Sequence, residues 1–213
     1  MSNKKYLLLL LLWLMISLTA SAQTFSAGII AGLNLSQIDG DSQTGYDKPG
    51  LVIGAKAIVK LNSRLSAVIE LLLNQKGAAF DINPAIPNEN YVINLNYMEV
   101  PALLDLHFGR VSDKHFKHHL LAGVGYGRLF SANFKEGDAP FTFKKFEPDF
   151  RKNEISPIFG YSFFFTPNIG VDFRYSFAVT RLYERVGDVP TSDITRTEFL
   201  RNYYLSVRGT YVF

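Results

Sequence analysis

From Phe25 onward the chain is written largely in period two. In Ile169 to Thr180, the residues Ile169, Val171, Phe173, Tyr175, Phe177 and Val179 alternate with Gly170, Asp172, Arg174, Ser176 and Ala178. In the last stretch, Phe199, Tyr203, Leu205, Val207, Tyr211 and Phe213 alternate with Asn202, Ser206, Arg208 and Thr210. Such alternation predicts strands with one apolar and one polar face. Eight segments qualify: Phe25 to Ser36, Leu51 to Leu61, Leu65 to Ala78, Tyr91 to Phe108, His119 to Phe130, Ile155 to Phe165, Ile169 to Thr180 and Phe199 to Phe213. The fourth reads as changing phase near Tyr97. Beyond that point Met98, Val100, Leu104, Leu106 and Phe108 oppose Glu99, Asp105 and His107, and its first part reads as an extension past the others.

The connections alternate in length. Segments 37–50, 79–90, 131–154 and 181–198 are long, whereas 62–64, 109–118 and 166–168 are shorter. Eight alternating strands with that loop order predict an all-β, eight-stranded antiparallel up-and-down transmembrane β-barrel, its long loops outside and both mature termini periplasmic. The strand lengths suit a tilted membrane strand of about 9–11 residues. A soluble barrel of lipocalin type shows the same period, so the polar face decides. It carries Gly170, Ser176, Ala178, Ser206 and Thr210 with a few charges, as a cramped interior demands, rather than the dense Lys and Glu of a water-facing surface. The opposite face bears large aromatics, as a membrane girdle does.

The N-terminus fits export. Lys4 and Lys5 precede an apolar run from Leu7 to Leu18, and Ala20-Ser21-Ala22 supplies a small-residue cleavage site. Residues 1–22 are therefore expected to be a cleaved signal peptide and 23–213 the barrel domain. No cysteine follows the cleavage site, so neither a lipid-modified N-terminus nor a disulfide is expected. The formal charge of +3 falls to +1 once Lys4 and Lys5 are removed, which withdraws any argument for nucleic acid. The partners expected are outer-membrane lipid and the barrel-insertion machinery, with Tyr211 and Phe213 as the C-terminal insertion signal.

Four segments also resemble a known family. They are Phe25 to Ser36 (FSAGIIAGLNLS), Glu70 to Gly77 (ELLLNQKG), Tyr97 to Leu104 (YMEVPALL) and the terminal Tyr211-Val212-Phe213. Together they resemble the PorT-like outer-membrane β-barrel family over nearly all of the mature chain, and the Tyr-Met-Glu-Val-Pro run with the upstream Lys-Gly is the most specific part. The resemblance implies an outer-membrane barrel, with some members linked to type IX protein secretion and gliding.

Parity assigns the candidate chemistry. Lys56, Glu70, Lys76, Glu99, Asp105, His107, Asp172, Arg174 and Arg208 face inward, with both signs present, and isolated buried charges are costly. A paired lumenal network that plugs the barrel is expected over a narrow path for protons or small ions, because eight strands leave little bore. Gly123, Gly125 and Gly127 are expected to make room for neighbours such as Tyr204; within a strand they are a poor nucleotide motif. His115, His118 and His119 fall in an expected periplasmic turn, where Zn²⁺ ligation competes with a plain solvated turn. No cofactor or metal is assigned. Phe134, Phe141, Phe143, Phe146 and Phe150, spaced among charges in loop 132–153, are candidates for protein-partner binding, against packing on the rim. With no cysteine nucleophile and no Ser, His and Asp set at the loop ends, a surface enzyme ranks below a structural or adaptor barrel and below a small-solute channel.

Overall fold

The computed structural model describes residues 25–39, 45–81, 90–112, 115–136, 150–184 and 199–213. Nine strands follow in chain order: β1 (Phe25–Asp39), β2 (Lys48–Lys60), β3 (Leu65–Asp81), β4 (Asn90–Ser112), β5 (His115–Glu136), β6 (Asn153–Phe164), β7 (Ile169–Phe177), β8 (Tyr183–Glu184) and β9 (Phe199–Val212). β8 is a two-residue ribbon paired to β9 at the long-loop end. The other eight form the wall. Each pairs antiparallel with its neighbour, β7 pairs with β9, and β9 closes on β1 from Gly28↔Val212 to Asp39↔Arg201. Closure removes both sheet edges, which is what allows strands to cross hydrocarbon without unpaired backbone groups.

The short turns 61–64 and 165–168 stand at one end with the start of β1 and the end of β9. There the Phe213 amide donates to the Ala27 carbonyl at 2.8 Å and that of Val212 to the Asn168 carbonyl at 2.8 Å. At the other end the strands run further into the expected loops, and β4 and β5, at 23 and 22 residues, form the tallest hairpin. At the short-turn end, Gly109 to Ser112 and His115 to His118 continue the β4–β5 ladder into the segment expected to be a turn. β7, by contrast, stops at Phe177.

The outward face is apolar over a belt of defined height. On β4 it runs Phe108, Leu106, Leu104, Ala102, Val100 and Met98, and on β3 Ile69, Leu71 and Leu73. Then the chemistry switches within one rung: Leu73 pairs with Met98, whereas the next outward pair is Gln75 with Asn96, joined by a side-chain hydrogen bond of 3.3 Å. Met98 to Phe108 is eleven residues, the span of a tilted membrane strand.

Above that rung the interior inverts too. Ile38, Ala78, Ile93, Leu95, Tyr97, Leu129, Phe150, Leu182, Tyr183 and Leu200 pack into an apolar cluster that caps the polar lumen. The change of phase expected in β4 does not occur, since Ile93, Leu95, Tyr97, Glu99, Leu103, Asp105 and His107 all point inward without a break. What changes at Tyr97 is the chemistry of the two faces. The phase change lies on β5 instead: Tyr97 pairs with Leu129 but Asn96 with Ser131, leaving Phe130 as a one-residue bulge. Odd residues of β5 face inward below it, and Ala132 and Phe134 pack on the cap above it.

Gly77 holds a φ of 142°, and a Cβ there would run into the backbone of Ile93 on β4. Glycine is required at this position by both conformation and close approach.

Candidate functional site

The lumen is built in layers by inward-facing residues of successive strands. At mid-height Glu70 of β3 receives a two-pronged pair from Arg174 of β7, with Nη1 donating to Oε2 at 3.0 Å and Nη2 to Oε1 at 2.7 Å. Arg208 of β9 reaches the same carboxylate at 3.4 Å and donates to Asp172 Oδ2 at 3.1 Å. Arg174 also lies 3.4 Å from Asp172. Two guanidiniums and two carboxylates thus balance across the bore, tying β3 to β7 and β9, which are not its neighbours in the wall. All four side chains are no more than 3% exposed. Forked arginine–carboxylate geometry is the arrangement that best offsets the desolvation of buried charge. Lys56, opposite Glu70 on β2, adds its charge beside this layer, its ammonium 5.7 Å from the Phe164 ring centroid.

The layer above centres on Lys76. Its ammonium pairs with Glu99 of β4 and, at 2.6 Å, with Glu154 of β6, and sits 4.9 Å and 4.7 Å from the ring centroids of Tyr97 and Tyr204. Around it Asn202 donates to Glu154 Oε2 at 2.7 Å and to the Tyr97 hydroxyl at 3.0 Å. Asn74 donates to Glu99 Oε2 at 2.8 Å, and Asn34 bonds to Asn74. Over this layer sits the apolar cap. Its rim includes Lys48, whose ammonium donates to the Pro49 carbonyl at 2.6 Å and whose pKa is pushed down by desolvation and by the nearby charge of Lys135.

The short-turn mouth holds a third group. Asp105 of β4 receives His119 of β5, with Nδ1 at 3.0 and 3.1 Å from the two carboxylate oxygens, and His107 Nε2 lies 3.3 Å from Oδ2. The two imidazoles face each other at 4.3 Å between centroids. They line a cavity of about 250 Å³ with Lys56, Ser66, Phe116 and Phe164.

Outside, the wall presents large apolar side chains on every long strand, Phe173 and Tyr175 among them, while the alternating Asp172 and Arg174 are buried. A surface of this kind is matched to hydrocarbon and not to water. Residues 21–184 match the family model described as outer membrane protein beta-barrel domain. The chain belongs to that outer-membrane barrel family. No curated protein sequence matches it. Solved structures similar to it include Neisserial surface protein A, at 14% identity and a TM-score of 0.47, covering 89% of this chain and 99% of that one. Ail, the attachment invasion locus protein of Yersinia pestis, crystallised with the heparin analogue sucrose octasulfate, is similar at 14% identity and a TM-score of 0.45, with 89% and 99% covered. OprG from Pseudomonas aeruginosa is similar at 9% identity and a TM-score of 0.42, with 90% and 97% covered.

In this family barrel, Lys56, Glu70, Lys76, Glu99, Asp105, His107, Asp172, Arg174 and Arg208 are all buried, in the three groups just described. Sequence reasoning left out Glu154, which it placed in a loop, although Ile155 facing outward already implied Glu154 and Ser156 facing inward. It also left out Asn34, Asn74 and Asn202, whose amides join the layers.

Several expectations are corrected. His119 is not in a turn but inside the mouth, and His118 faces outward, stacked on Phe108 at 5.3 Å with Nδ1 2.6 Å from the Tyr161 hydroxyl. His118 and His119 therefore share no site, since successive residues of a strand point to opposite faces. Gly127 makes room for Tyr97 and Glu99 rather than Tyr204, Gly123 for the backbone of Ala102 and Leu103, and Gly125 for Ile158. Of the five loop phenylalanines, Phe150 is buried in the cap and Phe134 packs on it, their rings 6.0 Å apart, so these two build the rim instead of presenting a surface. Phe141, Phe143 and Phe146 lie outside the described residues, as does the expected signal peptide. Tyr211 and Phe213 point outward beside each other, 5.4 Å between centroids.

Proposed function

We propose that the chain is a non-enzymatic outer-membrane scaffold with a sealed lumen, its short turns and both mature termini in the periplasm and its long-loop rim meeting protein partners. The observation that carries the reading is the filled bore. Glu70, Arg174, Arg208 and Asp172 tie β3, β7 and β9 across the interior, Lys76 and Glu154 tie β3 to β6, and the apolar cap closes the top. An eight-stranded interior has room for such side chains and little else. A barrel that passes nothing through itself acts through its surfaces. Assistance to type IX secretion, implied by the PorT-like resemblance, is the specific form we put forward, with segment 137–149 as the partner contact and the outward Tyr211 and Phe213 as the signal read by the insertion machinery.

Two measurements test this. Purified protein in planar bilayers is expected to give no conductance steps above background; discrete steps would favour the channel reading. Mild-detergent pull-down from outer membranes is expected to recover stable protein partners, and a 137–149 deletion that still shifts on unboiled gels is expected to lose them. Unchanged partners with normal insertion would remove the segment's role.

A further inference from the structure

We infer that Asp105, His107 and His119 form a binding site for a divalent transition-metal ion of the Zn²⁺ class at the short-turn mouth. The inference does not depend on the scaffold reading. Backbone pairing sets the three side chains together. His107 and His119 are direct cross-strand partners on β4 and β5, and Asp105 lies two residues from His107 on the same inward face. One donor atom from each residue lies within 4.8 Å of the others. Bonds of about 2.0–2.2 Å to a tetrahedral ion would set such atoms roughly 3.3–3.6 Å apart, a small contraction of the group as it stands.

The hydrogen bonding points the same way. His119 Nε2 is 3.3 Å from the Phe116 carbonyl, and Nδ1 faces the Asp105 carboxylate. A neutral imidazole has one N–H to give. With that N–H on Nε2 toward the Phe116 carbonyl, the Nδ1 lone pair is turned to the carboxylate side, the tautomer in which His119 and Asp105 ligate one cation together. An outer N–H donated to a backbone carbonyl is also how metal-bound histidines are commonly oriented. His107 supplies the second pointer: its side chain is nine-tenths buried, and its Nε2 is aimed at the same carboxylate yet makes no hydrogen bond. Two imidazoles and one carboxylate suit borderline ions and not Ca²⁺ or Mg²⁺, which favour all-oxygen shells. The remaining coordination positions would open on the 250 Å³ cavity. Lys56, Lys60 and Arg110 also line it, so an anionic co-ligand such as hydroxide or chloride is favoured over water alone.

The test uses the untagged full barrel, refolded in detergent, stripped with chelator and titrated with Zn²⁺ by calorimetry at mildly alkaline pH. One equivalent is expected to bind with micromolar affinity or better. His107→Ala and His119→Ala are each expected to weaken binding by at least about tenfold while keeping the unboiled gel shift. The double variant His115→Ala/His118→Ala is expected to bind as the parent does. Cu²⁺ in place of Zn²⁺ should show nitrogen hyperfine coupling in the electron paramagnetic resonance spectrum. Absence of saturable binding, binding indifferent to His107 and His119, or loss of binding in the 115/118 variant would each overturn the site.

Discussion

Replacing Arg174 by leucine removes two charge-assisted bonds to Glu70, at 3.0 and 2.7 Å, and the 3.4 Å contact with Asp172. Glu70 is then left with Arg208 at 3.4 Å, in a site from which water is excluded. Bonds of this kind contribute about 1.5–3 kcal/mol each, and breaking a buried pair costs about 3–5 kcal/mol. We expect a loss of about 4 kcal/mol, close to a thousandfold in the folded-to-unfolded ratio. Glu70→Leu alone should cost a similar amount, because it leaves the buried Arg174 only the 3.4 Å contact with Asp172. The double variant Glu70→Leu/Arg174→Leu takes away one charge of each sign and leaves Arg208 bonded to Asp172 at 3.1 Å, so it should lose only about 1 kcal/mol. Urea unfolding in detergent, followed by far-ultraviolet circular dichroism and by the gel shift of unboiled samples, supplies all three values. The expected coupling in a double-mutant cycle is about 7 kcal/mol, the two single losses less that of the double variant. A double variant whose cost equals the sum of the singles would show that the two residues are not a pair, and the layered account of the lumen would fall with it.

Three further outcomes are expected. Phe173→Arg, at the middle of β7 on the outward face, should destabilise the barrel in bilayers by about 2–4 kcal/mol, as measured by urea titration in lipid; an effect near zero would contradict the lipid-facing assignment. Gly77→Ala, with φ at 142° and the Ile93 backbone in the path of its Cβ, should cost about 1–3 kcal/mol in the same titration, whereas Ala78→Gly at the next residue lacks that strain. Phe150→Ala should cost about 3–5 kcal/mol if the cap is a packed core, and proteolysis of the rim should accelerate while the membrane belt stays protected.

The wall of this barrel was legible because a period of two leaves no freedom: once Phe173 faces lipid, Asp172 and Arg174 must both point into the lumen. The same parity placed the inward charges. It did not reveal which would meet, because Glu70 and Arg174 are 104 residues apart and only closure of the sheet brings them together. The rim was read less well for a different reason. Alternation says which residues share a face and nothing about the medium outside, so Ile93, Leu95 and Tyr97 looked like an outward set displaced by a change of phase when they are an inward set in water-side surroundings. Glu154 and His119 were lost at strand ends, where the ladder extends beyond the point at which the alternation weakens. The bulge at Phe130 adds one residue against β4, and no residue type announces it.

The switch from Leu73 and Met98 to Gln75 and Asn96 has a consequence for where this molecule can reside. A wall whose greasy height ends within one rung tolerates little hydrophobic mismatch: in a thicker bilayer the Gln75–Asn96 pair would be drawn into acyl chains, and in a thinner one Met98 would meet the headgroups. The β3–β4 pair therefore works as a depth gauge, and the barrel should settle in, or locally reshape, membrane of one matched thickness.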